Sequence, residues 1–266
     1  MNQTTSPVVM CFSGLDATGG AGIQADIEAI TSMGAHPAPI VTAHTVQDTQ
    51  QVYRYETQDA LLIIEQARAV LEDIPVAAFK LGMLGDVAII ESIHSILADY
   101  PTTPVVFDPV LASGQGDELA DAATIEAMRE LLFPQTTILT PNSIEAKRLA
   151  PEADTLDACA EALQNRGCEF ILITGTHEQG NEVVNSLYNN HRIMERFHWT
   201  RLPHEYHGSG CTLAASIAGL LAHGLEPFTA INEAQDFTWQ SLAQAKQLGK
   251  GQHIPQRFFW TMDDDE

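Results

Sequence analysis

The residues best suited to chemistry lie in one short stretch, 207–212, which reads His-Gly-Ser-Gly-Cys-Thr and leads into a predicted helix over 211–223. The first N–H groups of a helix lack intrahelical partners, and the helix dipole makes that end partly positive. Gly208, Ser209 and Gly210 therefore predict a phosphate cradle. The same field would lower the pKa of the Cys211 thiol, making it a candidate catalytic group. The alternative is a glycine-rich turn before a core helix, with Cys211 simply buried.

A second glycine-rich segment, residues 13–26, follows a predicted buried strand over 7–13. It leads into a helix over 21–33 whose apolar residues share one face, and Gly34 ends that helix. A strand, a glycine-rich loop and a helix in this order are typical of ligand-binding α/β proteins. The glycine spacing matches neither the dinucleotide fingerprint nor a Walker A loop.

The elements that must position these segments alternate between strand and helix. Further strands are predicted over 39–45, 76–81, 105–109, 136–140 and 170–174, and helices over 57–72, 86–99, 121–132, 143–150, 156–166 and 228–246. Residues 181–187 and 192–198 flank a predicted hairpin turn at 188–191. This alternation predicts an α/β fold with a mainly parallel central sheet and helices on both faces.

Five candidate residues come from the ends of five different predicted strands: Gly14, Gln47, Met83, Asp108 and Asn142. Ligands of such sheets collect at the carboxyl ends of the strands, so we expect these residues to lie close together. Each also has a structural interpretation: a methionine at a strand end is often plain core, for example.

Composition is consistent with one domain over residues 1–266. The formal net charge of −22 argues against nucleic acid or an anionic membrane as partner, and it requires a locally positive phosphate site. The four cysteines show no C-x-x-C spacing and indicate reduced thiols in a cytoplasmic protein. No signal peptide or transmembrane segment is evident. The acidic tail over 263–266 is expected to be solvated.

Six collinear blocks together resemble the hydroxymethylpyrimidine/phosphomethylpyrimidine kinases of the ribokinase-like superfamily. Residues 16–26 resemble the family's D-P-S-G-G-A-G-I-Q-A-D, and 206–212 resemble its T-H-G-T-G-C-T. Between them, 42–49 resemble T-A-x-T-x-Q-N-T, 80–84 resemble K-x-G-M-L, 108–111 resemble D-P-V-M, and 140–146 resemble T-P-N-x-x-E-A. The order holds from about residue 8 to residue 223.

The resemblance implies a ribokinase-like kinase that uses ATP and Mg²⁺ to phosphorylate 4-amino-5-hydroxymethyl-2-methylpyrimidine, and then its monophosphate, in thiamine biosynthesis. It implies a homodimer, and catalysis by Cys211 with the N–H groups of 208–210. The substrate would contact Gly14, Asp26, Gln47 and Met83. The nucleotide would contact Asn142, Thr174 and His177, and the metal Asp108 and Glu145. From the pattern alone, Asp26 and Glu145 could equally be solvated helix acids.

The chain departs from the family's pattern at two lysines that would face the phosphates. Thr174-Gly175-Thr176-His177 stands where the family has K-G-G-H, and residues 112–116 lack the lysine of A-K-S-G. Asp48 also replaces the usual asparagine after Gln47. Phosphoryl transfer depends on neutralising spread negative charge. Two alternatives therefore stay open: a related pyridoxal kinase, and a non-catalytic pyrimidine- or nucleotide-binding protein.

Overall fold

A nine-stranded sheet runs through the computed structural model, which describes residues 6–114 and 116–261. The strand order is β3-β2-β1-β4-β5-β6-β7-β8-β9. The six central strands are parallel: β2 (His36–Gln47), β1 (Val8–Leu15), β4 (Val76–Leu81), β5 (Val105–Phe107), β6 (Ile138–Leu139) and β7 (Phe170–Ile173). Their carboxyl ends therefore share one edge of the sheet, as predicted.

Antiparallel strands flank this parallel centre on both sides. On one side β3 (Val52–Thr57) pairs with β2; on the other, β8 (Glu182–Asn189) and β9 (Arg192–Thr200) form a hairpin beside β7. The hairpin prediction is confirmed. The turn itself is shorter than predicted, because only Asn190 and His191 leave the ladder, both with the positive φ of a two-residue hairpin turn.

Eight α-helices cover the two faces of the sheet within the described residues. They are α1 (Gly22–Ser32), α2 (Ala60–Asp73), α3 (Val87–Leu97), α4 (Ala122–Ala127), α5 (Ser143–Leu149), α6 (Leu156–Asn165), α7 (Ser209–Ala222) and α8 (Pro227–Ala243). A π turn over Met128–Leu132 and a 3₁₀ turn over Phe133–Gln135 extend α4, and a further 3₁₀ turn covers Phe259–Thr261.

Alternate residues of the buried strands feed two hydrophobic cores. In β1, Met10 and Phe12 pack beneath α2, α3, α5 and α6, whereas Val9 and Cys11 pack beneath α1, α7 and α8. A strand buried on both faces explains why its sequence is continuously apolar rather than alternating. The mainly parallel sheet with helices on both faces is thus confirmed.

The main differences from the prediction are one strand and the starts of two helices. Strand β3 was not predicted, and the helix predicted from residue 57 begins at Ala60, after Asp59 caps it through the N–H of Leu62. Helix α7 begins two residues earlier than predicted, at Ser209, because Gly208 adopts a left-handed conformation. Gln115 and the acidic tail over 263–266 lie outside the described residues.

Candidate functional site

Two helix N-termini meet at the carboxyl edge of the sheet. The helices α2 to α6 each have a side-chain cap, whereas α1, α7 and α8 have none, and α8 begins with a proline instead. The loops before α1 and α7 touch: a Cβ on Gly208 would collide with the carbonyl of Gly20, and one on Gly20 would collide with the ring of His207. Only glycines allow this approach. The result is a cradle of backbone N–H groups suited to an anion.

A buried acid ties these two loops together. Asp16 accepts hydrogen bonds from the N–H groups of Thr18 and Ala21, at 2.8 Å each, and His207 Nε2 lies 2.8 Å from its Oδ2. Burial alone would raise the pKa of Asp16, but the hydrogen bond with His207 and those from the loop hold it below its usual value. Asp16 and His207 therefore fix the loops around the cradle. Asp16 was not among the residues that the sequence singled out for the site.

Cys211 lies between the two helix ends, partly exposed. The N–H of Gly22, at the start of α1, donates to its sulfur, and its thiol hydrogen-bonds Asp108. The predicted lowering of its pKa is wrong. Burial raises the pKa of Cys211 to about 12, and the carboxylates of Asp108 and Asp26 add to the rise, outweighing Lys80. Cys211 is therefore a neutral thiol at physiological pH.

Lys80 is a buried cation of the site that was not among the predicted site residues. Its ammonium lies 2.7 Å from Asp26 Oδ1 and donates to Ser13 Oγ at 3.0 Å, while Ser13 donates to Asp26 at 2.5 Å. Lys80 and Asp26 are completely buried. Burial alone would lower the pKa of Lys80, but Asp26 together with Cys211 and Asp108 raises it above its usual range. A lysine inside an otherwise apolar strand was the available signal for a buried partner.

On the substrate side, Gly14 and Met83 are neighbours, since a Cβ on Gly14 would lie 3.1 Å from Met83 Sδ. Met83 also belongs to a small apolar cluster with Ala43 and Leu119. Gln47 donates to Thr45 Oγ1 at 2.6 Å and lines the same cavity as His207.

Asp26 is completely buried and paired with Ser13 and Lys80, so its contact with substrate stays a prediction. Asp48 lines the same cavity as Gln47. It caps the turn between β2 and β3, accepting from the N–H groups of Gln50 and Gln51, and these bonds hold the pKa of Asp48 below its usual value.

The predicted metal ligands, Asp108 and Glu145, are both buried near the cradle, with Asp108 Oδ2 3.6 Å from a Cβ placed on Gly210. Burial raises the pKa of Asp108 to about 6, with Lys80 opposing and Asp26 reinforcing the shift. Burial, followed by the charge of Asp108, raises the pKa of Glu145 to about 8. Two carboxyls that resist ionising beside each other fit a divalent cation, which would relieve their repulsion.

The predicted nucleotide residues follow β6 and β7. Asn142 caps α5 by accepting from the N–H groups of Ile144 and Glu145, and it pairs with Thr174 across the sheet edge. Glu145 completes a capping box by accepting from the N–H of Asn142 at 2.9 Å. Thr174 is half-buried and His177 exposed, so both can be reached from solvent. Their contacts with nucleotide stay predictions.

Within residues 6–114 and 116–261, no group of three or more His, Cys, Asp or Glu side chains is arranged to hold a metal ion, and none of the helices is long and apolar enough to cross a membrane. All four cysteines are free thiols. A metal ion at Asp108 and Glu145 would therefore rely on waters and ligand oxygens for its other positions, as Mg²⁺ commonly does.

The chain is similar in sequence to known kinases. A hydroxymethylpyrimidine/phosphomethylpyrimidine kinase of Mycobacterium tuberculosis is 35% identical over 253 residues, covering 93% of this chain and 92% of that protein. A thiamine biosynthetic bifunctional enzyme of Oryza sativa is 33% identical over 92% of this chain, which spans only 46% of that longer protein.

Among solved structures, the ADP complex of Bacillus subtilis pyridoxal kinase superposes with a TM-score of 0.85 at 27% identity, covering 95% of this chain and 98% of that one. The fold is thus the ribokinase-like fold expected from the sequence. The family model for phosphomethylpyrimidine kinase matches residues 16–256, nearly the whole chain. The chain therefore belongs to the phosphomethylpyrimidine kinase family.

Proposed function

We propose that this chain transfers the γ-phosphoryl group of ATP to the hydroxymethyl oxygen of 4-amino-5-hydroxymethyl-2-methylpyrimidine, and then to the monophosphate so formed. The observation that carries the proposal is the convergence of two uncapped helix N-termini on Cys211, together with the small apolar cluster of Met83, Ala43 and Leu119 on the substrate side. The first feature suits a phosphoryl group and the second a small aromatic ring.

On the substrate side, Met83 would contact the ring face. Gly14 has no side chain, which leaves room for the ring beside Met83. The amide of Gln47 can both donate to and accept from an aminopyrimidine edge. Asp26 is the proposed partner of the exocyclic amine. Because Lys80 neutralises that carboxylate, the hydrogen bond would form without leaving an unpaired buried charge.

On the phosphoryl side, the N–H groups of Gly208, Ser209, Gly210 and Cys211 would hold the transferring group, where preorganised donors are most effective. Cys211 takes the position at which many members of the superfamily have an aspartate base. As a neutral thiol bound to Asp108, it would orient the substrate hydroxyl rather than attack as a thiolate. Its sulfur also accepts from Gly22, which fixes it between the two helices.

Asp108 and Glu145 would hold Mg²⁺, and Asn142, Thr174 and His177 would contact the nucleotide. When bound, Mg²⁺ neutralises phosphate charge and aligns the phosphate oxygens. This function is especially needed here because two phosphate-site lysines of the family are absent. On the family resemblance we also propose one kinase domain over 1–266, a homodimer and a cytoplasmic location.

Pyridoxal kinase is the second candidate, favoured by the superposition on the Bacillus subtilis enzyme. Sequence identity favours the pyrimidine kinase, at 35% against 27%. A non-catalytic binding protein is the third candidate, because Lys80 is too deeply buried to replace a lysine that touches phosphate.

One assay separates the three candidates. Purified protein with ATP and Mg²⁺ should release ADP when the hydroxymethylpyrimidine is added, and mass spectrometry should show one phosphoryl group and then two on the product. Preferential turnover of pyridoxal would move the assignment to the second candidate. Pyrimidine binding measured by calorimetry, with no ADP release from either substrate, would establish the third.

A further inference from the structure

The C-terminal strap, residues 246–257, runs from the end of α8 across the mouth of the site. Its backbone pairs with the turn after β2, where Gln252 donates to the carbonyl of Thr49 at 2.8 Å. It also pairs with the loop before α7, where His207 donates to the carbonyl of His253 at 2.9 Å. The strap thus touches both the substrate side and the phosphate side before it ends at Arg257.

Arg257 is completely buried, an unusual position for the residue type that water solvates strongly. Its Nε donates to Thr212 Oγ1 at 2.8 Å, and its Nη1 donates to Glu28 at 3.0 Å. The carbonyls of Gly19 and Gly20 accept from Nη1 and Nη2. The guanidinium therefore bonds both glycine-rich loops at once, and Glu28 balances its charge.

These bonds act on the peptide groups that shape the cradle. In a trans peptide the carbonyl and the N–H point in opposite directions. Fixing the carbonyls of Gly19 and Gly20 on Arg257 therefore directs the next two N–H groups to the opposite side, where they bond Thr18 and Asp16. In the loop before α7, Thr212 Oγ1 accepts from Arg257 and donates to the carbonyl of Gly208 at 2.8 Å, so Arg257 also restrains the Gly208 peptide.

Building on the proposed kinase function, we propose that Arg257 is a positioning residue for phosphoryl transfer. Its guanidinium holds the first glycine-rich loop against the start of α7 and so sets the spacing of the N–H groups that bind the transferring phosphoryl group. Arg257 itself touches no phosphate, because Thr212, Glu28 and two carbonyls surround it. Lysine cannot replace it, since one ammonium does not reach the same four acceptors in a planar array.

The test compares Arg257→Ala and Arg257→Lys with the parent full-length protein. We expect kcat to fall about 10²-fold in both, the scale of a small misplacement of reacting groups. The KM for the pyrimidine should stay near the parent value, because Gln47 and Met83 do not touch Arg257. Added guanidinium should restore part of the kcat of Arg257→Ala and none of that of Arg257→Lys.

Hydrogen exchange of the unliganded protein measures how firmly Arg257 holds the two loops, without requiring turnover. Backbone amides of residues 16–24 and 206–213 should exchange faster in both variants. Arg129→Ala is the matched control: Arg129 has a side chain only 12% exposed and pairs with Glu126 and Glu152, outside the site. It should lower the melting temperature without changing kcat or exchange in either loop.

Normal kcat and normal loop exchange in a folded Arg257 variant would overturn the proposal, whatever the melting temperature. If Arg257→Ala does not fold, Arg257→Lys decides. If the parent itself turns over no pyrimidine, the proposed function fails; unchanged loop exchange in the variants would then reject the positioning role separately, and faster exchange would support it.

Discussion

At the scale of single residues, the site depends on charges that cancel inside the fold. Lys80 and Asp26 form an ion pair with no exposed surface, and Ser13 bonds both. Taking two charges out of water is expensive, so such a pair adds little net stability relative to apolar residues. Its value at this position is that it fixes the Asp26 carboxylate between α1 and the sheet.

The pair predicts a specific pattern of stabilities. Lys80→Met leaves Asp26 buried without its cation and should lower the free energy of unfolding by about 3–5 kcal/mol. Combining it with Asp26→Asn should recover part of that loss, because the stranded charge is gone. Urea denaturation of Lys80→Met, Asp26→Asn and the double variant measures these changes, and Arg54→Ala, in an exposed pair with Glu56, should change the free energy of unfolding little. Additive losses in the double variant would show that the two side chains act independently.

Cys211 gives a second prediction at this scale. Cys211→Ala should fold and bind pyrimidine but lose about 10²–10³-fold in kcat, the loss seen when one oriented polar group is removed from such a site. Cys211→Asp should retain more activity than the alanine variant, because it restores a hydrogen-bonding base. Cys159→Ala, at a buried thiol in α6, is the control and should leave turnover unchanged. Parent-level turnover in Cys211→Ala would make Cys211 a packing residue.

The sequence indicated Cys211, Asp108 and Asp26 because motifs place them, but it did not indicate Lys80 or Arg257 as parts of the site. The partners of Lys80 lie on other elements, Ser13 in β1 and Asp26 in α1. Arg257 bonds residues more than 200 positions away in the glycine-rich loop. Long-range pairs of this kind leave no local periodicity. The pKa of Cys211 was predicted in the wrong direction for the same reason. Its position at a helix N-terminus can be read from nearby sequence, whereas its burial beside Asp108 and Asp26 depends on distant segments.

At the scale of elements, two helix ends without side-chain caps form the cradle. A side-chain cap typically stabilises a helix by about 1 kcal/mol, and α1 and α7 lack that contribution. An anion bound between them would supply it. Sequence predicted both helices because their apolar periodicity is strong. It did not predict β3, a short and mostly exposed strand. The hydrogen bonds that hold β3 in the sheet come from its pairing with β2, which its own sequence does not reveal.

Two carboxyl groups, one after β5 and one in the first turn of α5, predict how magnesium binding depends on pH. Asp108 and Glu145 have pKa values raised to about 6 and about 8, so they are partly protonated near neutrality. Mg²⁺ binds the ionised forms, and protons leave as pH rises; the apparent affinity for Mg²⁺ should therefore increase between pH 6 and pH 8. Calorimetry in the presence of ADP should show tighter binding and proton release over this window.

The control for the pH experiment is Asp108→Asn. It removes one carboxylate and the charge that helps to raise the pKa of Glu145. We expect weaker Mg²⁺ binding in this variant and a flatter pH dependence, with the remaining proton released at lower pH. An affinity of the parent protein that does not change between pH 6 and pH 8 would contradict the assignment of these two carboxyls.

At the scale of the whole molecule, the fold gathers residues from Gly14 to Thr212 at one edge of one sheet. The rule that ligands collect at the carboxyl ends of parallel strands predicted that convergence from sequence. It requires only that the strands are parallel and that the candidate residues follow their carboxyl ends. The net charge of −22 is a second property of the whole chain, and it opposes the approach of ATP. The cradle must therefore act by local N–H groups against an unfavourable overall field.

This opposition predicts how activity depends on salt. Added salt shortens the distance over which surface charge acts, to about 8 Å at physiological ionic strength, so repulsion between the chain and ATP should weaken. The value of kcat/KM for ATP should rise as salt increases from very low concentration, with Mg²⁺ kept saturating. The hydroxymethylpyrimidine is uncharged at neutral pH, so its kcat/KM should hardly change and serves as the internal control. A kcat/KM for ATP that falls with salt would mean that local positive potential at the cradle outweighs the net charge in steering the nucleotide.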